Sequence, residues 1–166
     1  MSTSLRVFPA FVVLVLLLLV PLAQAQIDSP ISHLLQNAQP PEGVVFEIVT
    51  DDEDALDWAI PRTRDYIQQL RGRFPDLPIA VVTHGREMFS LQKQNEYGSQ
   101  DVHHQVKSLT DQQGVTLHVC GTYAGWKGLT EEDFPAYVDV TAAGPAQIND
   151  YVALGYVKII ITQNDR

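Results

Sequence analysis

Short runs of apolar, largely β-branched residues recur along the chain between stretches with helical spacing. Val44 to Thr50, Ile79 to Thr83, Val115 to Cys120, Val138 to Thr141 and Tyr156 to Ile161 each read as a buried strand. Between the first two, Leu56, Ile60, Ile67 and Leu70 recur at helical intervals, and the acidic residues Asp52, Glu53 and Asp54 suit a first turn beginning at Asp52. Pro61 interrupts that pattern and predicts a kink or two joined segments. Met88 and Phe89 fall in a loop or short helix. Val102 to Gln113 reads as a helix with Val106 and Leu109 inward and Gly114 as its stop; a short helix is expected within Thr122 to Asp133. Pro145 to Leu154 reads as a further helix, with proline in its first turn and Gly155 beyond its end. Strands alternating with helices predict a three-layer α/β domain of flavodoxin-like type, with a mostly parallel five-stranded sheet over residues 43–166.

The start of the chain follows another pattern. Met1 to Ala25 holds one charge, Arg6, then an apolar run from Val7 to Val20, then Ala23-Gln24-Ala25. A basic n-region, a short h-region and an A-x-A site define a secretory signal peptide, with cleavage expected between Ala25 and Gln26. The run falls short of the roughly 20 residues a spanning helix needs, so any membrane contact would pass through an uncleaved signal segment. Residues 26–42, with Ser29-Pro30 and Pro40-Pro41, read as a polar tether in which Ile31 to Leu35 could form one helical turn. The expected location is the periplasm.

Charge and cysteine count narrow the chemistry. With 11 Lys and Arg against 20 Asp and Glu, the net charge of -9 argues against a nucleic-acid partner. No G-x-G-x-x-G, Walker A or G-x-S-x-G pattern occurs, so no cofactor is expected. The single cysteine, Cys120, excludes an internal disulfide and a multi-cysteine zinc site. In an oxidising compartment a lone thiol is a buried bystander, an intermolecular link or a reactive group.

Ligands of open parallel sheets bind beyond the carboxyl ends of the strands, an edge that here collects Thr50 to Asp52, His84-Gly85, Cys120-Gly121 and Thr141. Backbone N-H groups of a helix starting after Cys120 would favour its thiolate form. His118, two residues earlier on the same strand, shares its face, and His84 at the neighbouring strand end is a candidate acid-base partner. Tyr123 and Trp126 either roof a thiol pocket or pack in the core. His103-His104 with Asp101 reads as a solvated helix start, Asp51 to Asp54 as helix capping, and Glu131 to Asp133 as a charged surface turn.

The segments Leu117-His118-Val119-Cys120-Gly121, Gly125-Trp126-Lys127-Gly128-Leu129, Val138 to Ile148 and Gly155 to Ile160 together resemble the DsrE/DsrF-like family. The likeness runs from Gly43 to Ile161 and is most specific from Leu117 onward. It implies an α/β fold, and in sulfur-relay members a cysteine at the position of Cys120 carries a persulfide to a partner within trimers or hexamers. On that basis the chain is expected to be an exported sulfur carrier acting through Cys120, a homo-oligomer with a thiol or persulfide partner. The alternative is a non-enzymatic oligomeric module that binds a small ligand or a soft metal such as Cu(I), with one cysteine supplied per subunit.

Overall fold

The computed structural model describes residues 29–164, so the expected signal segment, residues 26–28 of the tether and the last two residues lie outside it. Its strands are β1 (Gly43–Ile48), β2 (Ile79–Thr83), β3 (Thr116–Cys120), β4 (Asp139–Thr141) and β5 (Tyr156–Ile160). They form one sheet in the order β4-β3-β2-β1-β5, and every pairing is parallel. The helices are α1 (Ser32–Gln36), α2 (Leu56–Arg73), α3 (Gln100–Gln113), α4 (Gly121–Trp126) and α5 (Gly144–Ala153), with 3-10 turns at Arg86–Leu91, Lys93–Asn95 and Glu131–Asp133. All five residues of β2 are buried, as a central strand covered on both faces requires.

Side-chain alternation divides the sheet into two unequal faces. Val44, Phe46 and Ile48 of β1, Ile79 and Val81 of β2 and Leu117 and Val119 of β3 join Leu56, Ile60, Ile67 and Leu70 of α2 and Val102, Val106 and Leu109 of α3 in the main core. The other face has a small core, Val45, Ala80 and Val82 beneath Ile148 of α5, flanked by Tyr151 and Tyr156. Successive strands from β1 to β4 are added in one direction. Helix α5 then carries the chain back across β3, β2 and β1 to reach β5 on the far side. Connections after β3 and β4 thus leave toward opposite faces, and Cys120 and Thr141 lie side by side at the carboxyl ends of those two strands.

Several local expectations are revised. Helix α2 begins at Leu56 rather than Asp52, because the acidic residues close a turn: Thr50 Oγ1 accepts the Asp52 N-H at 3.0 Å and Asp52 Oδ1 accepts that of Asp54 at 3.1 Å. The helix continues through Pro61 as one element. Proline near its start removes only one intrahelical N-H bond, and the buried Leu56, Ala59, Ile60, Thr63 and Ile67 hold both sides to the same core. Residues 31–36 are more than a tether: Ile31 and Leu34 are buried in the main core, and Arg73 donates to the Asn37 carbonyl at 3.2 Å. Burying those two side chains contributes about 1.5–3 kcal/mol each, which holds a five-residue helix that would be marginal alone. Gly114 ends α3 as expected, in the left-handed conformation with φ of 59°. Among the described residues no helix is long and apolar enough to cross a membrane.

Candidate functional site

The carboxyl ends of β1, β2 and β3 meet the start of α5 around a cavity of about 420 Å³, lined by Val49, Thr50, Asp51, His84, Gly85, Cys120, Thr122, Tyr123, Trp126, Ala143 and Pro145. Cys120 is the last residue of β3 and forms part of the floor; its surface is 5% exposed. Tyr123 and Trp126 of α4 stand edge to face with ring centres 5.8 Å apart, and Tyr123 is braced from behind by Phe89 at 5.0 Å. Trp126 is 76% exposed and walls the pocket toward solvent, whereas Tyr123 is half-buried and both lines the pocket and packs against the main core. Gly121 allows this geometry, since a Cβ there would meet the Thr141 carbonyl at 2.8 Å. The expected supply of free amides after Cys120 is reduced: the N-H and hydroxyl of Thr122 both donate to the Ala142 carbonyl, at 3.0 and 2.7 Å.

His84 enters the same cavity, held from two sides. Its Nε2 lies 2.9 Å from Glu47 Oε1, while Lys158 Nζ donates to Glu47 Oε2 at 3.0 Å. Burial raises the Glu47 pKa, but the hydrogen bonds from His84 and Lys158 and their charges outweigh it and hold the carboxyl below its ordinary value. An ionised carboxylate only accepts, so Nε2 carries the hydrogen in this pair and Nδ1 is the nitrogen left to gain or lose a proton. Gly144 fixes the root of the ring: a Cβ on it would come within 2.6 Å of His84 Cβ.

A buried carboxylate shapes the rim. Glu87 is fully buried, and its two oxygens accept the Thr50 N-H at 2.8 Å, the Thr83 hydroxyl at 2.6 Å and the Gly85 N-H at 2.9 Å. It joins the loops after β1 and β2, both of which contribute to the pocket. Gly85 leaves room for it, as a Cβ would lie 2.3 Å from Glu87 Oε2 and 2.4 Å from the Thr50 carbonyl.

His118 shares its strand with Cys120 but stands apart from the pocket, beneath α5. Its Nε2 pairs with the Tyr151 hydroxyl at 2.9 Å, and its Nδ1 is buried without a partner, 4.0 Å from Asp139 Oδ2. Burial lowers its pKa, with Asp139 opposing. Of the three expected site residues the fold therefore brings together Cys120 and His84, and turns His118 toward the helix packing. His103 is a correction of another kind. Instead of starting a solvated helix it is buried, with Nδ1 2.6 Å from the Tyr137 hydroxyl and Nε2 2.9 Å from the Ser90 carbonyl. Burial, with Glu96 and Asp111 adding to it, pushes the Tyr137 hydroxyl up to about 12. No group of three or more His, Cys, Asp or Glu that could hold a metal ion occurs among the described residues.

Sequence reasoning missed Glu47 and Glu87. A signal for Glu47 existed in the isolated acid of one apolar strand and the isolated base, Lys158, of another. For Glu87 two partners, Thr83 and Gly85, are local, but the third, Thr50, which ties the two loops together, lies 37 residues away.

Neither the protein-family models nor the curated proteins contain a match to this chain. Solved structures do. The protein of unknown function MTH1491 from Methanobacterium thermoautotrophicum is 27% identical with a TM-score of 0.57, over 70% of this chain and 96% of its own. The ychN protein from E. coli is 12% identical with a TM-score of 0.48, over 72% of this chain and 99% of its own. The conserved protein of unknown function BT1422 from Bacteroides thetaiotaomicron is 13% identical with a TM-score of 0.46, over 72% and 95%. The first of these carries the conclusion that this α/β domain, with its parallel five-stranded sheet, is a fold that the MTH1491 protein shares along nearly its whole length.

Proposed function

We propose that the protein is an exported sulfur carrier of the DsrE-like kind, in which Cys120 takes up sulfane sulfur as a persulfide and passes it on. The observation that supports this is the placement of the chain's single cysteine in a crevice at the carboxyl edge of the sheet, together with a histidine whose tautomer is set by an ionised partner. In the first step the Cys120 thiolate attacks the outer sulfur of a donor R-S-SH. A bond forms between Sγ and that sulfur, the donor S-S bond breaks, and the thiolate RS⁻ leaves. His84 receives the Cys120 proton at Nδ1 and returns it to the leaving thiolate. In the second step an acceptor thiolate attacks the terminal sulfur and Cys120 leaves as thiolate, so sulfur moves with no net oxidation. Val152 on α5, Leu154 just after it and Ile160 on β5 are exposed beside the thinly covered face, which fits the homo-oligomer that the family resemblance implies.

The test is mass spectrometry of the intact protein after exposure to a small alkyl persulfide, the donor R-S-SH of the first step. Wild type is expected to gain the mass of one sulfur atom, reversibly with a thiol, and Cys120→Ser to gain none. An unmodified wild-type Cys120, or equal uptake by the serine variant, overturns the proposal.

A further inference from the structure

Many sulfur donors are anions, and a site that takes them generally presents cations: Arg or Lys forks, or helix amides free to bind. The Cys120 crevice presents no such side chain. Its walls are Val49, Tyr123, Trp126 and Pro145, and no lysine or arginine lines it. Its one charged lining group is a carboxylate, Asp51, on an exposed turn. The neighbouring cation, Arg86, stands outside the lining and is ion-paired with Glu53, while Lys158 is held by Glu47. The imidazole of His84 points its Nε2 at Glu47. The Thr122 amide, which opens α4 beside the thiol, is bonded to the Ala142 carbonyl. An anion entering this crevice would give up water and meet a like charge, whereas an uncharged apolar molecule would cover Trp126 and lose no hydrogen bond.

We infer that the site selects its donor by charge: the substrate class is a small, uncharged, apolar sulfane-sulfur compound, an alkyl or aryl persulfide or polysulfide, and anionic donors of the thiosulfate type are rejected. This rests on the sulfur-carrier reading for the identity of the transferred atom. The selectivity itself is a property of the crevice and can be measured without sulfur transfer.

Three aliphatic disulfides of similar size serve as probes: bis(2-hydroxyethyl) disulfide, neutral; dithiodiglycolate, anionic; and cystamine, cationic. Each undergoes the same exchange, in which the Cys120 thiolate forms a mixed disulfide and one RS⁻ leaves. Rates on the full protein are divided by rates on a small neutral thiol, and measured in about 1 M salt, where a Debye length of about 3 Å removes the long-range field of the acidic protein. The neutral probe is expected to exceed the anionic one by at least tenfold and the cationic one by a smaller factor. Asp51→Asn is expected to narrow the neutral-to-anionic ratio by raising the anionic rate. Equal normalised rates for neutral and anionic probes, fastest labelling by cystamine, or no labelling by any of them would overturn the inference. Loss of the sulfur-carrier reading looks different: charge selectivity would persist while an uncharged alkyl persulfide left no sulfur adduct on Cys120.

Discussion

Replacing Glu87 by glutamine tests whether one buried carboxylate holds the rim of the pocket. The substitution keeps size and shape, so it isolates the hydrogen bonds. Oε1 accepts from both the Thr83 hydroxyl and the Gly85 N-H, and Oε2 accepts from the Thr50 N-H alone. The amide nitrogen of glutamine therefore replaces Oε2 at least cost, and even there the part-buried Thr50 N-H loses its acceptor and faces another donor. A lost hydrogen bond to a charged group and an unsatisfied part-buried donor together amount to about 2–4 kcal/mol. With a urea slope of about 2 kcal/mol per molar, the unfolding midpoint followed by far-ultraviolet circular dichroism should fall by about 1–2 M with the slope unchanged. Thr83→Val, which removes one donor and leaves the carboxylate paired with two amides, should lower stability by about 1 kcal/mol. Because Thr50 and Gly85 both line the crevice, the glutamine variant should also label faster at Cys120 with iodoacetamide than wild type does. A midpoint shift below about 0.3 M for Glu87→Gln would refute the reasoning.

Three other changes probe separate parts of the structure. Glu47→Gln removes the charge that fixes His84 and leaves one acceptor oxygen for two donors, His84 and Lys158, so persulfide formation at Cys120 should slow by about tenfold and its pH-rate profile should change shape, with partial recovery in Glu47→Asp; an unchanged profile would disconnect Glu47 from the thiol. His118, facing Tyr151 and Asp139, has its folded pKa lowered from 6.5 by burial, so the unfolded chain takes up a proton first as pH falls. The stability it contributes is present at neutral pH and is lost on acidification from that value down through the folded one. Urea midpoints should therefore fall less between about pH 7 and about pH 5 in His118→Gln than in wild type, and equal slopes would count against the assignment. Ile31→Ala should cost about 2–4 kcal/mol by equilibrium unfolding, whereas a free tether would cost nothing measurable.

Much of the architecture was legible in the pattern of residues because periodicity reports burial, and burial is what the sheet imposes. The five strands lie close to where their β-branched runs place them, and Gly114 and Gly155 end their helices with positive φ as expected. Cys120 could be assigned to the carboxyl edge of the sheet because that edge follows from strand direction alone. Partners were harder, since they arrive from other elements. Nothing local to His118 shows that its ring is taken by Tyr151, and nothing local to His103 shows Tyr137 and Ser90 closing over it. The acidic run misled for a related reason: Asp52 and Asp54 favour a helix N-terminus, yet the hydroxyl of Thr50 draws them into a turn and delays the helix to Leu56.

The return of α5 across the sheet has a consequence for the order of events during folding. Strand β5 follows every other strand in the chain yet pairs only with β1, so its contacts are the most distant in sequence and the slowest to close. The face packed by α2 and α3 can assemble from neighbouring segments as they emerge, while the opposite wall must wait for residues 144–160. Ala143, Pro145 and the Gly144 backbone that seats His84 arrive with that wall. A nascent chain thus carries Cys120 without its enclosure until the final crossover docks, and the thiol acquires its selectivity in the same step that completes the domain.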